Sequence, residues 1–98
     1  MEGKAYEFQE FYIPERMMPG IKRYLEHGIK PGRFLSAIIQ NNLSQAVGQA
    51  DSENLRNIPA YAAYFYNECS LDCWGSPQKM NQWIEKFKKV SNGEKEQP

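Results

Sequence analysis

The stretch Phe34–Ala50, FLSAIIQNNLSQAVGQA, decides the fold class. Phe34, Ile38, Asn42, Ala46 and Ala50 form one ladder at i, i+4, and Leu35, Ile39, Leu43 and Val47 form its neighbour. That spacing gathers apolar side chains on one helical stripe and does not fit the strict alternation of a strand. It predicts one helix of about 20 residues or two shorter ones broken at Asn41-Asn42. Asn tolerates the left-handed conformation that ends a helix, and its side chain caps the next, so the pair favours two.

Upstream, a helix is expected within Glu15–His27, with Pro19 in its first turn, Ile21, Tyr24 and Leu25 on one face, and Gly28 as its C-cap. Pro31-Gly32 then opens the next helix. Residues 1–13 set Tyr6, Phe8, Phe11 and Tyr12 among Glu7, Gln9 and Glu10. They read as an irregular arm whose rings pack on the body, because a lone strand over Ala5–Ile13 has no sheet to join.

Downstream, Asp51-Ser52-Glu53-Asn54 supplies a cap and first-turn acids. Pro59 kinks or restarts the helix ahead of Tyr61-Ala62-Ala63-Tyr64-Phe65-Tyr66. There Ile58, Tyr61, Ala62 and Phe65 form a stripe for burial. A loop over 68–75 carries both cysteines and Trp74. Ser76-Pro77 starts a last helix with Met80, Trp83, Ile84 and Phe87 at i, i+3, i+4, i+7. The expected fold is all-α: a compact bundle of four to six short helices over residues 14–90, an irregular N-terminal arm over 1–13, and a disordered polar tail over 91–98. The expected core is Ile21, Leu25, Leu35, Ile38, Ile39, Leu43, Val47, Leu55, Ile58, Phe65, Trp83, Ile84 and Phe87.

Ninety-eight residues leave room for one core, and 41% hydrophobic with 13% aromatic content is enough to fill it. Twelve cationic residues balance twelve acidic ones. This argues against the clustered basic excess of a nucleic-acid binder, and a DNA-binding regulator is the weakest of the functional readings. Residues 14–33 and 77–98 are mildly basic, whereas 58–76 carry only Glu68 and Asp72. No apolar run approaches the roughly 20 residues of a membrane span, and the N-terminus lacks the order of a secretion signal. A basic rim of Lys79, Lys86, Lys88 and Lys89 around the last helix's apolar stripe is better explained by a core-facing helix than by a membrane surface. The expected compartment is the cytoplasm, with no membrane association.

The candidate chemistry is sparse. Cys69 and Cys73 stand in a CxxxC spacing, and a structural zinc needs four ligands where only His27 remains. Two reduced, packed thiols are the simpler reading, with a regulatory disulfide as the minor one. His27 sits where a cationic ring favours a helix C-terminus. No nucleophile, base and orienting group assemble from these residues, so no catalytic residue, metal or cofactor is expected.

Two binding features remain. Lys30-Pro31-Gly32-Arg33 sets cations around a helix start, with Arg16, Lys22 and Arg23 nearby, an arrangement that holds phosphate or carboxylate when it is more than an ordinary helix start among solvated charges. Tyr64, Phe65 and Tyr66 cannot all face one core from a helix. Tyr64 or Tyr66, with Trp74, is therefore expected at a recognition surface, unless the extra ring packs under the N-terminal arm.

The residues His27-Gly28-Ile29, Pro31-Gly32, Phe34-Leu35, Asn42-Leu43, Ala46-Val47, Ala50-Asp51, Asn54, Tyr64-Phe65-Tyr66-Asn67-Glu68 and Cys73-Trp74-Gly75-Ser76 resemble a group of small, uncharacterised bacteriophage and prophage proteins. The likeness spans roughly residues 19–84, and it supplies no activity or catalytic residues. It implies a mobile-element origin and expression in a bacterial cytoplasm. The leading expectation is a non-catalytic accessory protein that binds a host or phage protein, as an inhibitor of a bacterial defence system. The alternative is a small-ligand protein that sequesters an anionic nucleotide, a phosphate-bearing molecule, in a pocket that a homo-oligomer would complete.

Overall fold

The computed structural model describes residues 3–96, and for residues 89–96 the backbone alone. The chain opens with a β-hairpin, strands β1 (Lys4–Phe8) and β2 (Phe11–Pro14), and a 3₁₀ turn at Glu15–Met17. Six helices follow: α1 (Met18–His27), α2 (Arg33–Ile39), α3 (Leu43–Gln49), α4 (Ser52–Arg56), α5 (Ile58–Glu68) and α6 (Pro77–Glu96). A second 3₁₀ turn, Leu71–Cys73, lies between α5 and α6.

The hairpin corrects the all-α expectation and the irregular arm. Its strands pair antiparallel, Tyr6 with Ile13, Glu7 with Tyr12 and Phe8 with Phe11, with a bulge between Lys4 and Tyr6. The partner missing from the sequence reading is the other half of the arm. Gln9 takes a left-handed φ of 54°, which lets the chain reverse over Gln9-Glu10. The pleat turns Tyr6 and Phe8 inward and leaves Lys4 and Glu7 exposed, and Ile13 and Pro14 are buried.

The helix boundaries follow local chemistry. Gly28 closes α1 at φ 66°, its N–H reaching back to the α1 carbonyls. Its Cα lies so close to α6 that an added Cβ would meet the Phe87 side chain at 2.5–2.8 Å. Asn41 is left-handed at φ 62°, and the Asn42 side chain accepts from the Gln45 N–H at 3.1 Å, so α2 and α3 are two helices. The Asp51 carboxylate caps α4 through the Asn54 N–H at 2.8 Å, and Ser76 caps α6 through the Lys79 N–H at 3.1 Å. Pro59 restarts the chain in the first turn of α5. Helix α6 runs on to Glu96, so the tail expected over 91–98 is helical in backbone as far as it is described, and residues 97–98 lie outside the described set.

The core gathers around α2, buried on every side from Phe34 to Ile39. Ile13, Ile21, Tyr24, Tyr61, Phe65 and Met80 complete it. Leu25, Ile58, Trp83 and Ile84 pack against it half-buried. Four expected core residues lie outside: Leu43 is 65% exposed, Val47 and Leu55 are exposed too, and Phe87, half-buried, packs on Trp83 (ring centroids 5.5 Å apart) outside the core cluster. The reversal at Asn41 re-aims the helix axis, so the ladder read through 34–50 does not continue across it, and α3 buries only Ala46. Ala62 of the expected α5 stripe is also exposed, and Ala60 and Ala63 take its place.

Polar ties fix the parts. The Tyr24 hydroxyl donates to the Cys73 carbonyl (2.6 Å), and the Trp83 indole N–H donates to the Tyr24 carbonyl (3.0 Å), joining α1, the loop and α6. The Gly75 N–H donates to the Ile39 carbonyl at 2.7 Å. The hairpin is held by α4 and α5: the Tyr12 N–H donates to Asn57 Oδ1 (2.9 Å) and the Tyr12 hydroxyl to Glu53 (2.7 Å).

Candidate functional site

The sequence-nominated residues separate into two surfaces. Lys30 and Arg33 stand together at the mouth of an open cleft of about 460 Å³ between α2 and α3. The loop into α2 brings both cations there, and α3 contributes Gln45 and Gln49, one turn apart. Gln40 lines the cleft from the end of α2, with its amide N–H on the Met80 sulfur at 3.3 Å. No carboxylate lines the cleft, and neither Lys30 nor Arg33 forms an ion pair with a described residue. Arg16, Lys22 and Arg23, placed beside them by the sequence reading, do not line the cleft: Lys22 and Arg23 lie on α1, and Arg16 pairs with Asp51 and Glu53.

Tyr66 and Trp74 belong to the second surface, an apolar trough of about 600 Å³. Phe8 comes from the hairpin, Pro59, Ala62 and Tyr66 from α5, and Trp74 from the loop before α6. A smaller hollow of about 70 Å³ shares Asn41, Ala62 and Trp74 with the trough and extends it to Leu43. Tyr66 is 72% exposed on the rim. Trp74 leans on Phe65 with ring centroids 6.2 Å apart, and its indole N–H is buried without an acceptor among the described residues. A buried donor left unpaired is costly, so this N–H marks a locally strained spot beneath the trough.

Tyr64 divides from Tyr66 as helix geometry requires. It packs edge-on against Tyr6 of the hairpin (5.2 Å) and Phe65 (5.5 Å). Burial pushes its hydroxyl above the ordinary phenol range. It supports the hairpin and does not line the trough.

A third cluster was not anticipated as a unit. Arg16 bridges Asp51 (3.1 Å) and Glu53 (2.9 Å). The Tyr61 hydroxyl donates to the buried Asn54 side chain (2.6 Å), and Asn57, also buried, donates to the Glu53 carbonyl (2.9 Å). The hydrogen bond from Tyr12, together with Arg16, holds the Glu53 carboxyl below its usual range. The Asn54 N–H and Arg16 do the same for Asp51. Only the Asp51–Asn54 cap carried a sequence signal, because the other partners come from distant segments. The cluster fastens the hairpin to α4 and α5.

The cysteines are both free. The neighbouring Cys73 thiol, together with burial, pushes Cys69 well above an ordinary thiol pKa. Cys73 is buried and also donates to the Ser70 carbonyl at 3.2 Å. His27 is exposed at the end of α1. No group of three or more His, Cys, Asp or Glu side chains among the described residues is arranged to hold a metal ion, and no described helix is long and apolar enough to cross a membrane. Comparison with protein-family models, with curated proteins and with solved structures gives no match to this chain.

Proposed function

We propose that this chain is a phage- or prophage-encoded accessory protein that acts in the bacterial cytoplasm by non-catalytic binding to another protein, with the Tyr66–Trp74 trough as its recognition surface. The observation that carries this reading is a tyrosine, 72% exposed, on the rim of an apolar trough that Phe8, Pro59 and the Trp74 ring line. Tyr and Trp anchor binding hot spots because each joins large apolar area to a polar tip. The partner offers an aromatic or aliphatic anchor for the trough. Basic side chains flank that anchor. No charged side chain lines the trough, and on the segments that build it the exposed acids Glu7, Glu10, Glu68 and Asp72 outnumber the one exposed cation, Lys4. Non-catalytic action is supported by the cysteines, free thiols of which Cys73 is buried and donates to the Ser70 carbonyl, and by a histidine stranded at a helix end. Inhibition of a bacterial defence protein fits this mode, since covering a partner's surface requires no chemistry.

The test pairs affinity capture from the bacterial host with the exposed-site variant Ala62→Arg, which puts a cation in the trough. The expected result is a protein enriched by the wild type, lost with Ala62→Arg, and bound more weakly as salt rises. A partner retained equally by Ala62→Arg and Tyr66→Ala would move the interface elsewhere. Enrichment of nothing over a blank control would remove the reading.

A further inference from the structure

The cleft between α2 and α3 has no part in the trough and carries a different chemistry. Its charged lining is Lys30 and Arg33 alone, both exposed and free of ion pairs with described residues. Cations on a protein surface usually have carboxylates within reach, and this cleft has none along its lining. Its other polar side chains are neutral: Gln40, Gln45 and Gln49, with Ser36 committed to the Pro31 carbonyl at 3.1 Å. Gln45 and Gln49, one turn apart on one face of α3, line the same cleft as the cations. A volume of about 460 Å³ falls within the roughly 300–1,000 Å³ of small-molecule sites.

These groups sort by what they recognise. Lys and Arg together suit a phosphate, one as a compact point charge and the other as a planar fork. A glutamine amide presents a donor and an acceptor side by side, which matches the edge of a nucleobase or the hydroxyls of a sugar. A carboxylate ligand would engage the cations and leave the glutamines idle. We infer that this cleft binds a phosphate-bearing small molecule of nucleotide size, Lys30 and Arg33 on the phosphate and Gln45 and Gln49 on the base or sugar.

Calorimetric titration of the full chain with ribonucleoside mono-, di- and triphosphates, with the parent nucleosides and with inorganic phosphate tests this at fixed ionic strength. At least one nucleotide is expected to bind more tightly than its nucleoside and than inorganic phosphate. Lys30→Ala/Arg33→Ala should weaken that nucleotide by about tenfold or more for each charge-assisted bond lost. Gln45→Ala/Gln49→Ala should weaken the nucleotide and leave inorganic phosphate unchanged, a split that a purely electrostatic surface does not produce. All four side chains are exposed, so far-UV circular dichroism should show the folded protein in each variant. No heat with any nucleotide up to about a hundredfold excess over a micromolar site would overturn the inference. So would unchanged affinity in the Lys30/Arg33 variant, or equal losses for nucleotide and phosphate in the glutamine variant. Ala62→Arg in the trough should leave the titration unchanged, which keeps this result separate from the protein-binding one.

Discussion

Exchanging Tyr61 for Phe removes one oxygen and exposes how the interior is wired. Tyr61 is fully buried, and its hydroxyl donates at 2.6 Å to Asn54, itself 4% exposed. Burial pushes that phenol far above its ordinary pKa, so it remains a donor across any working pH. In Tyr61→Phe the Asn54 oxygen keeps its burial and loses its donor, at a cost of about 1–3 kcal/mol. Asn54→Leu, close in shape, strands the Tyr61 hydroxyl at a similar cost of about 1–3 kcal/mol and removes a weak contact from the Asn54 amide to the Met17 sulfur. The Asp51 cap survives in both variants, because it uses the Asn54 backbone N–H. The double variant leaves neither group orphaned. It should be more stable than the summed single losses predict by about 1–2 kcal/mol. Urea titrations followed by tryptophan fluorescence and by far-UV circular dichroism give the cycle, and each kcal/mol corresponds to roughly 4–8 °C in Tm for a domain of this size. Losses that add to within about 0.5 kcal/mol would refute the direct pairing of Tyr61 with Asn54.

Other expectations follow from the same geometry. Gly28→Ala should cost more than the about 1–2 kcal/mol of a left-handed residue, because the new Cβ meets Phe87; Gly28→Asn should fare little better, and a Phe87→Ala background should recover part of the loss, all read from urea midpoints. The lowered pKa values of Asp51 and Glu53 mean that their contribution is complete above the ordinary carboxylate range, about pH 4, and is lost as pH falls through the depressed values. The urea midpoint should therefore decline below about pH 4, and Glu53→Gln should flatten that decline; an unchanged slope would free the hairpin from this cluster. Cys69, held protonated, and Cys73, buried, should react with Ellman's reagent at pH 8 at least about tenfold more slowly in the native protein than in urea; equal rates would contradict the packing of the 69–73 turn.

What the sequence made legible is what short-range chemistry determines. Gly28, Asn41, Asn42, Asp51, Ser76 and Pro77 mark helix ends, because a cap is a bond between residues two to four apart and its donor and acceptor can be read side by side. The hairpin escaped for the complementary reason. Its turn, Gln9-Glu10, carries none of the Gly or Asn that usually announces a left-handed residue, and Gln9 adopts one anyway. The tie of Tyr12 to Asn57 and Glu53 and the packing of Tyr6 on Tyr64 help to hold that turn, and both reach far along the chain. Leu43 and Val47 show the limit of periodicity itself. An apolar ladder states which residues share a face, not which way the face points once Asn41 has turned the axis.

The same limit explains the two surfaces. Helix geometry required Tyr64-Phe65-Tyr66 to divide, but which tyrosine went out was settled by Tyr6 of the hairpin, which covers Tyr64 and leaves Tyr66 on the rim. Lys30 and Arg33 were visible as cations three residues apart. Their meaning changed once α3 lined the same cleft, because Gln45 and Gln49 carry no charge and no motif and are informative only beside the two cations in a gap of nucleotide size. The reversal at Asn41 therefore has two consequences. It removes Leu43 and Val47 from the core, at a cost in buried apolar area of roughly 25 cal/mol per Å². It also creates the α2–α3 cleft on one side and carries the trough to Leu43 on the other. Leu43 at the end of the trough is what a surface selected for contact would show. Leu43→Ser should accordingly weaken protein binding through the trough while leaving the urea midpoint unchanged; a matching fall in stability would mean that Leu43 serves the fold after all.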